Sequence, residues 1–243
     1  MRIPRIYYPS SLVLNEHIIL NEISSGHLLR VLRLKVGSSV IVFDGIASGE
    51  YSATLVEIEK NKAVLKVEFF SAKENESPLS IHLGQGISRG DKMDYTLQKS
   101  VELGVMAITP LLTERCGVEL KGDRLEKRMD HWRGIIIHAC EQSGRIKLPA
   151  LHSPQKLIDW FQSLKVDIGF VTDPRSSKRL SEFENNLKSA ALLCGPEGGL
   201  SESEIALAHA QGLMGLSLGP RILRTETAAL TAITLLQQRW GDF

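Results

Sequence analysis

The chain has 243 residues, of which 43% are hydrophobic and 23% charged, and its formal net charge is +1. That balance suits a globular protein and excludes a disordered or histone-like basic chain, while a local basic face would still suffice for nucleic-acid binding. The opening M-R-I-P-R-I-Y-Y has no signal-peptide core and no apolar run approaches membrane-spanning length, so a cytoplasmic location without a membrane partner is expected.

The first seventy or so residues read as β-rich. V-I-V-F (Val40–Phe43), Y-S-A-T-L-V-E-I (Tyr51–Ile58) and A-V-L-K-V-E-F-F (Ala63–Phe70) are short, β-branched or aromatic, and separated by turn signals at Asp44-Gly45 and Asn61-Lys62. With one short helix expected over Ser25–Leu34, they suggest a small barrel spanning residues 1–72. The polar stretch Ser71–Pro78 then reads as a linker, and the rhythm changes for residues 73–243. Apolar runs at Ser80–Leu83, Ala107–Leu112, Val166–Val171, Ala190–Cys194 and Met214–Leu218 read as buried strands. Helical patterns at Asp91–Leu103, Arg124–Gln142, Pro154–Leu164, Glu202–Gln211 and Glu226–Trp240 separate or follow them. Such alternation predicts an α/β domain with a parallel sheet covered on both faces.

Three motifs point elsewhere and carry less. G-L-S-L-G (Gly215–Gly219) spells a hydrolase nucleophile elbow, but no histidine follows Ser217 to serve as its base. G-Q-G-I-S-R-G (Gly84–Gly90) follows a strand, yet its glycines are spaced one residue too widely for a dinucleotide fingerprint. An oxidoreductase using that loop remains an alternative at this point. The cysteines Cys116, Cys140 and Cys194 form no C-x-x-C pair, and His131 and His138 lie two helical turns apart, so no metal is expected.

Two loops share a design. L-L-C-G-P-E-G-G-L-S-E-S-E (Leu192–Glu204) and L-S-L-G-P-R-I-L-R-T-E-T-A (Leu216–Ala228) each end a strand in Gly-Pro and lead into a helix. Ser201 with Glu204 forms a capping box, and Thr225 is expected to cap the last helix. Two such walls suit a crevice at the strand ends. Glu197 and the lack of a lysine argue against a phosphate cradle. Backbone groups of Cys194, Gly195, Leu218 and Leu223, with the apolar Leu192, Leu218, Ile222 and Leu223, would suit a neutral adenosine bearing a sulfonium.

Together with S-R-G-D-K-M-D-Y-T-L-Q-K-S-V-E-L-G, H-A-C-E-Q-S-G-R and H-L-L-R-V-L-R-L, these loops resemble the RsmE family over nearly the whole chain. Its members are bacterial methyltransferases that make 3-methyluridine in small-subunit (16S) ribosomal RNA. The resemblance implies a PUA-like RNA-binding barrel followed by a SPOUT domain, whose C-terminal segment is threaded into a deep trefoil knot. It also implies S-adenosylmethionine as cofactor and a homodimer that completes the site. Carried over position by position, it places the cofactor among Thr172, Asp173, Leu192, Cys194, Gly195, Pro196, Gly198, Leu218, Gly219, Ile222, Leu223 and Thr225.

Methylating uridine N3 requires loss of its proton, hence a base or a cation beside the uracil oxygens. Arg224 and Glu226 are the leading candidates, with Glu141 and Arg145 from E-Q-S-G-R beside them. Glu226 has a second reading, as a carboxylate favoured by its helix dipole. Arg2, Arg5, His27, Arg30, Arg33 and Arg89 are the candidate RNA contacts, Arg2 and Arg5 beside Tyr7 and Tyr8 and Arg30 and Arg33 three apart on one helical face after His27. A non-catalytic ribosome assembly factor is the remaining alternative.

Overall fold

The computed structural model describes residues 3–117, 122–176, 180–183 and 186–243. The chain forms two units: Met1–Glu76 with Cys140–Leu148, and Ser77–Ala139 with Pro149–Phe243. The first boundary lies four residues beyond the expected 72, and the first unit recruits a distant segment that no local signal marks.

In the first unit, β1 (Arg5–Tyr7), β2 (His17–Ile19), α1 (Glu22–Gly26), β3 (Ser39–Phe43), β4 (Gly49–Glu59) and β5 (Lys62–Ala72) give a five-stranded sheet ordered β1-β3-β4-β5-β2. Its edge strands β1 and β2 are not paired with each other among the described residues. Tyr51, Ala53 and Leu55 alternate inward along β4 and join Ile6, Leu28, Val40, Val42, Leu65 and Val67 in one core. Two register shifts between β4 and β5, at Ser52/Ala53 and Leu55/Glu57, are bulge-type irregularities of the kind that bend a ribbon. The Asp44-Gly45 turn is held from inside: the buried Asp44 carboxylate accepts the N–H groups of Leu12, Ile46 and Ala47. Helix α1 starts earlier than expected because Asn21 caps it, accepting the Ser24 N–H at 2.8 Å. It continues as a π-helical turn over His27–Val31.

Arg5 joins this unit to its distant segment. Its guanidinium lies 2.8 Å from Glu50 Oε2 and donates to the carbonyls of Cys140 (2.9 Å) and Arg145 (3.2 Å), all below 10% residue exposure for Arg5. Lys73 shares Glu50 at 3.1 Å, and Phe43 lies under the Arg5 guanidinium. A planar fork of donors suits this many oxygens at once, as a lysine would not.

The second unit contains β6 (Ser80–Gly86), α2 (Asp91–Glu102), β7 (Ala107–Leu112), most of α3 (Asp123–Ser143), β8 (Ala150–Leu151), β9 (Gln155–Lys156), α4 (Leu157–Ser163), β10 (Ile168–Thr172), β11 (Ser189–Cys194), α5 (Glu202–Ala210), β12 (Met214–Leu216) and α6 (Thr225–Trp240). The strands run parallel in the order β12-β10-β11-β6-β7-β8, with β9 also on β7. Ala191 and Leu193 pack with Trp160, Phe161, Ile205 and Leu213. Alternation along β11 turns Leu192 to the opposite face. There Phe170, its register partner, stacks on Trp240 of α6 with centroids 6.1 Å apart.

His82 of β6 is a half-buried imidazole. Trp160 Nε1, which can only donate, lies 3.2 Å from His82 Nε2, and Thr109 Oγ1 lies 2.8 Å from the same nitrogen. Burial first, then the neighbouring His152, lowers the His82 pKa from 6.5 to about 4. A lowered histidine pKa means that the unfolded chain binds the proton more readily. The stabilisation is therefore fully present above 6.5 and fades as pH falls through about 4. In urea titrations, the stability advantage of wild type over His82→Gln should shrink steadily as pH drops across that window. An advantage independent of pH would show that His82 is not held neutral.

Candidate functional site

Strands β10, β11 and β12 release the chain at the same edge of the sheet. Their loops enclose a cavity of about 450 Å³ within the second unit. Thr172 and Asp173 form one wall, Cys194–Leu200 a second, and Leu218, Gly219, Arg221, Ile222, Leu223 and Thr225 a third.

Close backbone approach accounts for the glycines in the second wall. A Cβ on Gly195 would lie 2.8 Å from the Leu200 nitrogen, and one on Gly86 would lie 2.5 Å from Pro196 Cδ. Gly199 has φ +69 and donates its N–H to the Pro196 carbonyl at 2.8 Å, closing a tight turn. Gly84 and Gly86 belong to strand β6, where Trp160 and Pro196 occupy the space a side chain would need. These glycines therefore serve packing, which removes the basis for a dinucleotide cradle at Gly84–Gly90.

Side chains fix the walls from behind. The Gly195 carbonyl accepts from Thr225 Oγ1 at 2.5 Å and from Gln85 Nε2 at 3.2 Å. Thr225 is thus the first residue of α6 rather than its cap; Arg224 holds the capping position and makes no side-chain capping bond. The expected capping box at α5 does form: Ser201 Oγ accepts the Glu204 N–H and Glu204 Oε2 accepts the Ser201 N–H. Glu204 Oε1 also accepts the Glu114 N–H at 2.8 Å. Glu197 accepts the Arg89 N–H at 3.0 Å, with Lys92 Nζ 3.7 Å away. Burial pushes its carboxyl up, but its own and the Arg89 backbone N–H, with Lys92 and Ser88, outweigh burial and hold it below the usual range. Glu197 braces its loop against the start of α2. Asp173 likewise accepts the Arg175 N–H at 3.0 Å. Burial raises the Cys194 thiol to about 12, so it stays protonated and packs rather than reacts.

Of the expected cofactor residues, Thr172, Asp173, Cys194, Gly195, Pro196, Gly198, Leu218, Gly219, Ile222, Leu223 and Thr225 line this one cavity. Leu192 is fully buried in the sheet and does not line it. Arg224 is exposed at the start of α6, and Glu226 lies half-buried in its first turn.

Glu141 and Arg145 lie in the first unit and do not line the cavity. Glu141 accepts the Tyr7 N–H, and Arg145, 4% exposed, pairs with Glu76 at 2.6 Å. Arg5 is similarly buried and paired, so it offers no exposed charge to RNA. His27, Arg30 and Arg33 are exposed on or just after the π-helical turn, and Arg89 is exposed before α2. Arg2 lies outside the described residues. Sequence reasoning missed Arg115, which donates to the Gly198 carbonyl at 2.9 Å, and Gln85. A polar residue inside the otherwise apolar end of β6 was the available signal for Gln85.

Residues 75–237 match the family model of the RNA methyltransferase domain, and residues 24–68 match that of the RNA methyltransferase PUA domain. The chain is 37% identical to ribosomal RNA small subunit methyltransferase E of Buchnera aphidicola from Schizaphis graminum, over 99% of this chain and 98% of the relative. It is 31% identical to the Bacillus subtilis protein of that name, over 86% and 85% of the two chains. Among solved structures, ribosomal RNA small subunit methyltransferase E from Neisseria gonorrhoeae bound to S-adenosyl methionine is 38% identical, with a TM-score of 0.91 and complete coverage of both chains. A Legionella pneumophila protein solved with bound cofactor SAM is 39% identical, with a TM-score of 0.96 and the same coverage.

The packing of Gly86 against Pro196 gives a test with a built-in control. Gly86→Ala should destabilise the protein by about 1–3 kcal/mol in chemical denaturation, the usual cost of forcing atoms into a packed interior. Gly134→Ala, in α3 with nothing within 4 Å of the new methyl, should instead stabilise by up to about 1 kcal/mol through helix propensity.

Proposed function

The chain belongs to the ribosomal RNA small subunit methyltransferase E family, and on that premise we propose that it transfers a methyl group from S-adenosylmethionine to N3 of a uridine in 16S ribosomal RNA. The observation that carries this reading is the convergence of the loops after β10, β11 and β12 on one cavity. Its volume of about 450 Å³ lies within the range of small-molecule sites. Backbone peptides and the apolar Leu218, Ile222 and Leu223 suit a nucleoside, and among the described residues no lysine lines the cavity to receive a phosphate chain.

When bound, the cofactor supplies an electrophilic methyl group. The chain's own task is to hold the acceptor in line and to manage the N3 proton. We assign the proton to Glu226, whose Oε2 is buried without a hydrogen-bond partner. Arg224, exposed beside it, and Arg221, at the cavity wall, would offset charge developing on the uracil oxygens. Glu141 and Arg145 are assigned to the first unit's framework instead, on account of their Tyr7 and Glu76 partners. His27, Arg30 and Arg33 are the proposed phosphate contacts.

The trefoil knot, homodimer, small-subunit substrate and cytoplasmic location are part of the same proposal. Strand order supports the threading: from β11 the chain reaches β12 on the far side of β10, then returns so that Thr225 of α6 meets the β11 terminus.

The decisive experiment is transfer of labelled methyl groups from S-adenosylmethionine to small ribosomal subunits lacking the modification, with the product base identified. Label at uridine N3 is expected. Binding to subunits without transfer would instead indicate an assembly factor. Glu226→Gln should lower turnover by about a hundredfold or more while leaving S-adenosylhomocysteine affinity within about twofold. Arg30→Ala should weaken RNA binding and reduce its salt slope by about 1 without changing the melting temperature.

A further inference from the structure

Gln85 is the penultimate residue of β6 and is 0% exposed. Its Nε2 lies 3.0 Å from the Gly86 carbonyl, 3.2 Å from the Gly195 carbonyl and 3.0 Å from Thr225 Oγ1. The Thr225 hydroxyl donates its proton to the same Gly195 carbonyl, so it receives one amide N–H on its lone pair, and the second amide N–H is shared between the Gly86 and Gly195 carbonyls. Gln85 Oε1 is buried and has no hydrogen-bond partner.

We infer that Gln85 is a positioning residue for methyl transfer, acting through the Gly195-Pro196 peptide to hold two cofactor walls at a fixed separation. This rests on the cavity being the S-adenosylmethionine site. Proline has no N–H, so the Gly195 carbonyl is the only hydrogen-bonding handle on that peptide plane. Gln85 and Thr225 both grip it, one from the end of β6 and one from the first turn of α6. Gly86 holds the same turn sterically, since no side-chain atom fits between it and Pro196. One amide therefore joins three segments that lie far apart in sequence, two of which line the cavity. Packing alone does not explain the residue. A buried amide with an unpaired oxygen costs stability that an apolar side chain would not, and Ile81 and Leu83 of the same strand are apolar. The glutamine is there for its donors. Gln85 itself does not line the cavity and touches no substrate, so its effect is indirect.

The test measures S-adenosylhomocysteine affinity by calorimetry and the cofactor KM by methyl transfer, on full-length protein. Gln85→Leu should weaken both by about tenfold to a hundredfold, the loss expected for one or two buried hydrogen bonds, measured at a temperature where the melting curve shows the variant fully folded. Gln85→Glu should bind poorly at high pH, where a carboxylate faces two oxygens. It should recover as pH falls through the raised range of a buried glutamate and the acid regains a proton to donate. A filler of space would show no such pH profile. Thr225→Val should weaken binding similarly, and the Gln85→Leu/Thr225→Val pair should cost less than the sum of its parts, because both act on one carbonyl. If Gln85→Leu does not fold, the Gln85→Glu profile and Thr225→Val still decide the matter. Wild-type affinity in folded Gln85→Leu, or a flat Gln85→Glu profile, overturns the inference. Failure of wild type to bind S-adenosylhomocysteine would instead overturn the cofactor reading beneath it.

Discussion

Strand direction governs the larger unit. Every strand in its sheet points the same way, so every loop that follows a strand leaves from one edge. Strands β11, β10 and β12 are neighbours in that order. With strands about 4.8 Å apart, their three exits fall within roughly 10 Å, close to the width of a nucleoside. A cavity at that edge follows from topology before any side chain is chosen. The side chains decide only whether the loops stay apart or collapse together.

They are kept apart by backbone held close and polar groups anchored from behind. Gly195 and Gly86 permit approach distances that a methyl group would forbid. Such loops would lose much entropy on ordering. Carboxylates in and beside the loops offset this: Glu204 takes the Glu114 and Ser201 amides, Glu197 the Arg89 amide and Asp173 the Arg175 amide. In each case a carboxylate accepts main-chain N–H groups that no helix or strand partner takes. Asp173, Glu197 and Glu204 thus each hold main-chain amides around the cavity.

The long strands and helices of the larger unit were legible because hydrophobic periodicity is a local property, whereas the two-residue strands β8 and β9 were not. Ala190–Cys194 and Glu202–Gln211 were read within a residue or so of their observed limits. Edge strands β1 and β2 were not, since three-residue strands carry no periodicity to detect. Within the site, the Gly-Pro loops were visible as composition. The inward turn of Leu192 was not, because an uninterrupted apolar strand does not say which of its faces meets a ligand. Glu197 was ambiguous for a similar reason: its partner, the Arg89 amide, lies 108 residues away.

Arginines show this limit most sharply. Arg5 and Arg30 sit in comparable basic contexts near the N-terminus, yet one is buried among oxygens and the other exposed. The difference comes from residues far off in the chain. Glu50 supplies the charge, and the carbonyls of Cys140 and Arg145, 135 and 140 residues away, supply the remaining acceptors. Those carbonyls lie at and just beyond the end of α3, where the Cys140 carbonyl also accepts the Gly144 N–H at 3.1 Å and fewer helical donors follow. Arg5 thus completes a helix terminus, and Glu141 and Arg145, which read as catalytic from their motif, sit around that same terminus. A string such as E-Q-S-G-R can therefore be characteristic of a family while supplying framework: its role in binding Arg5 and Glu76 constrains the same letters that a catalytic role would.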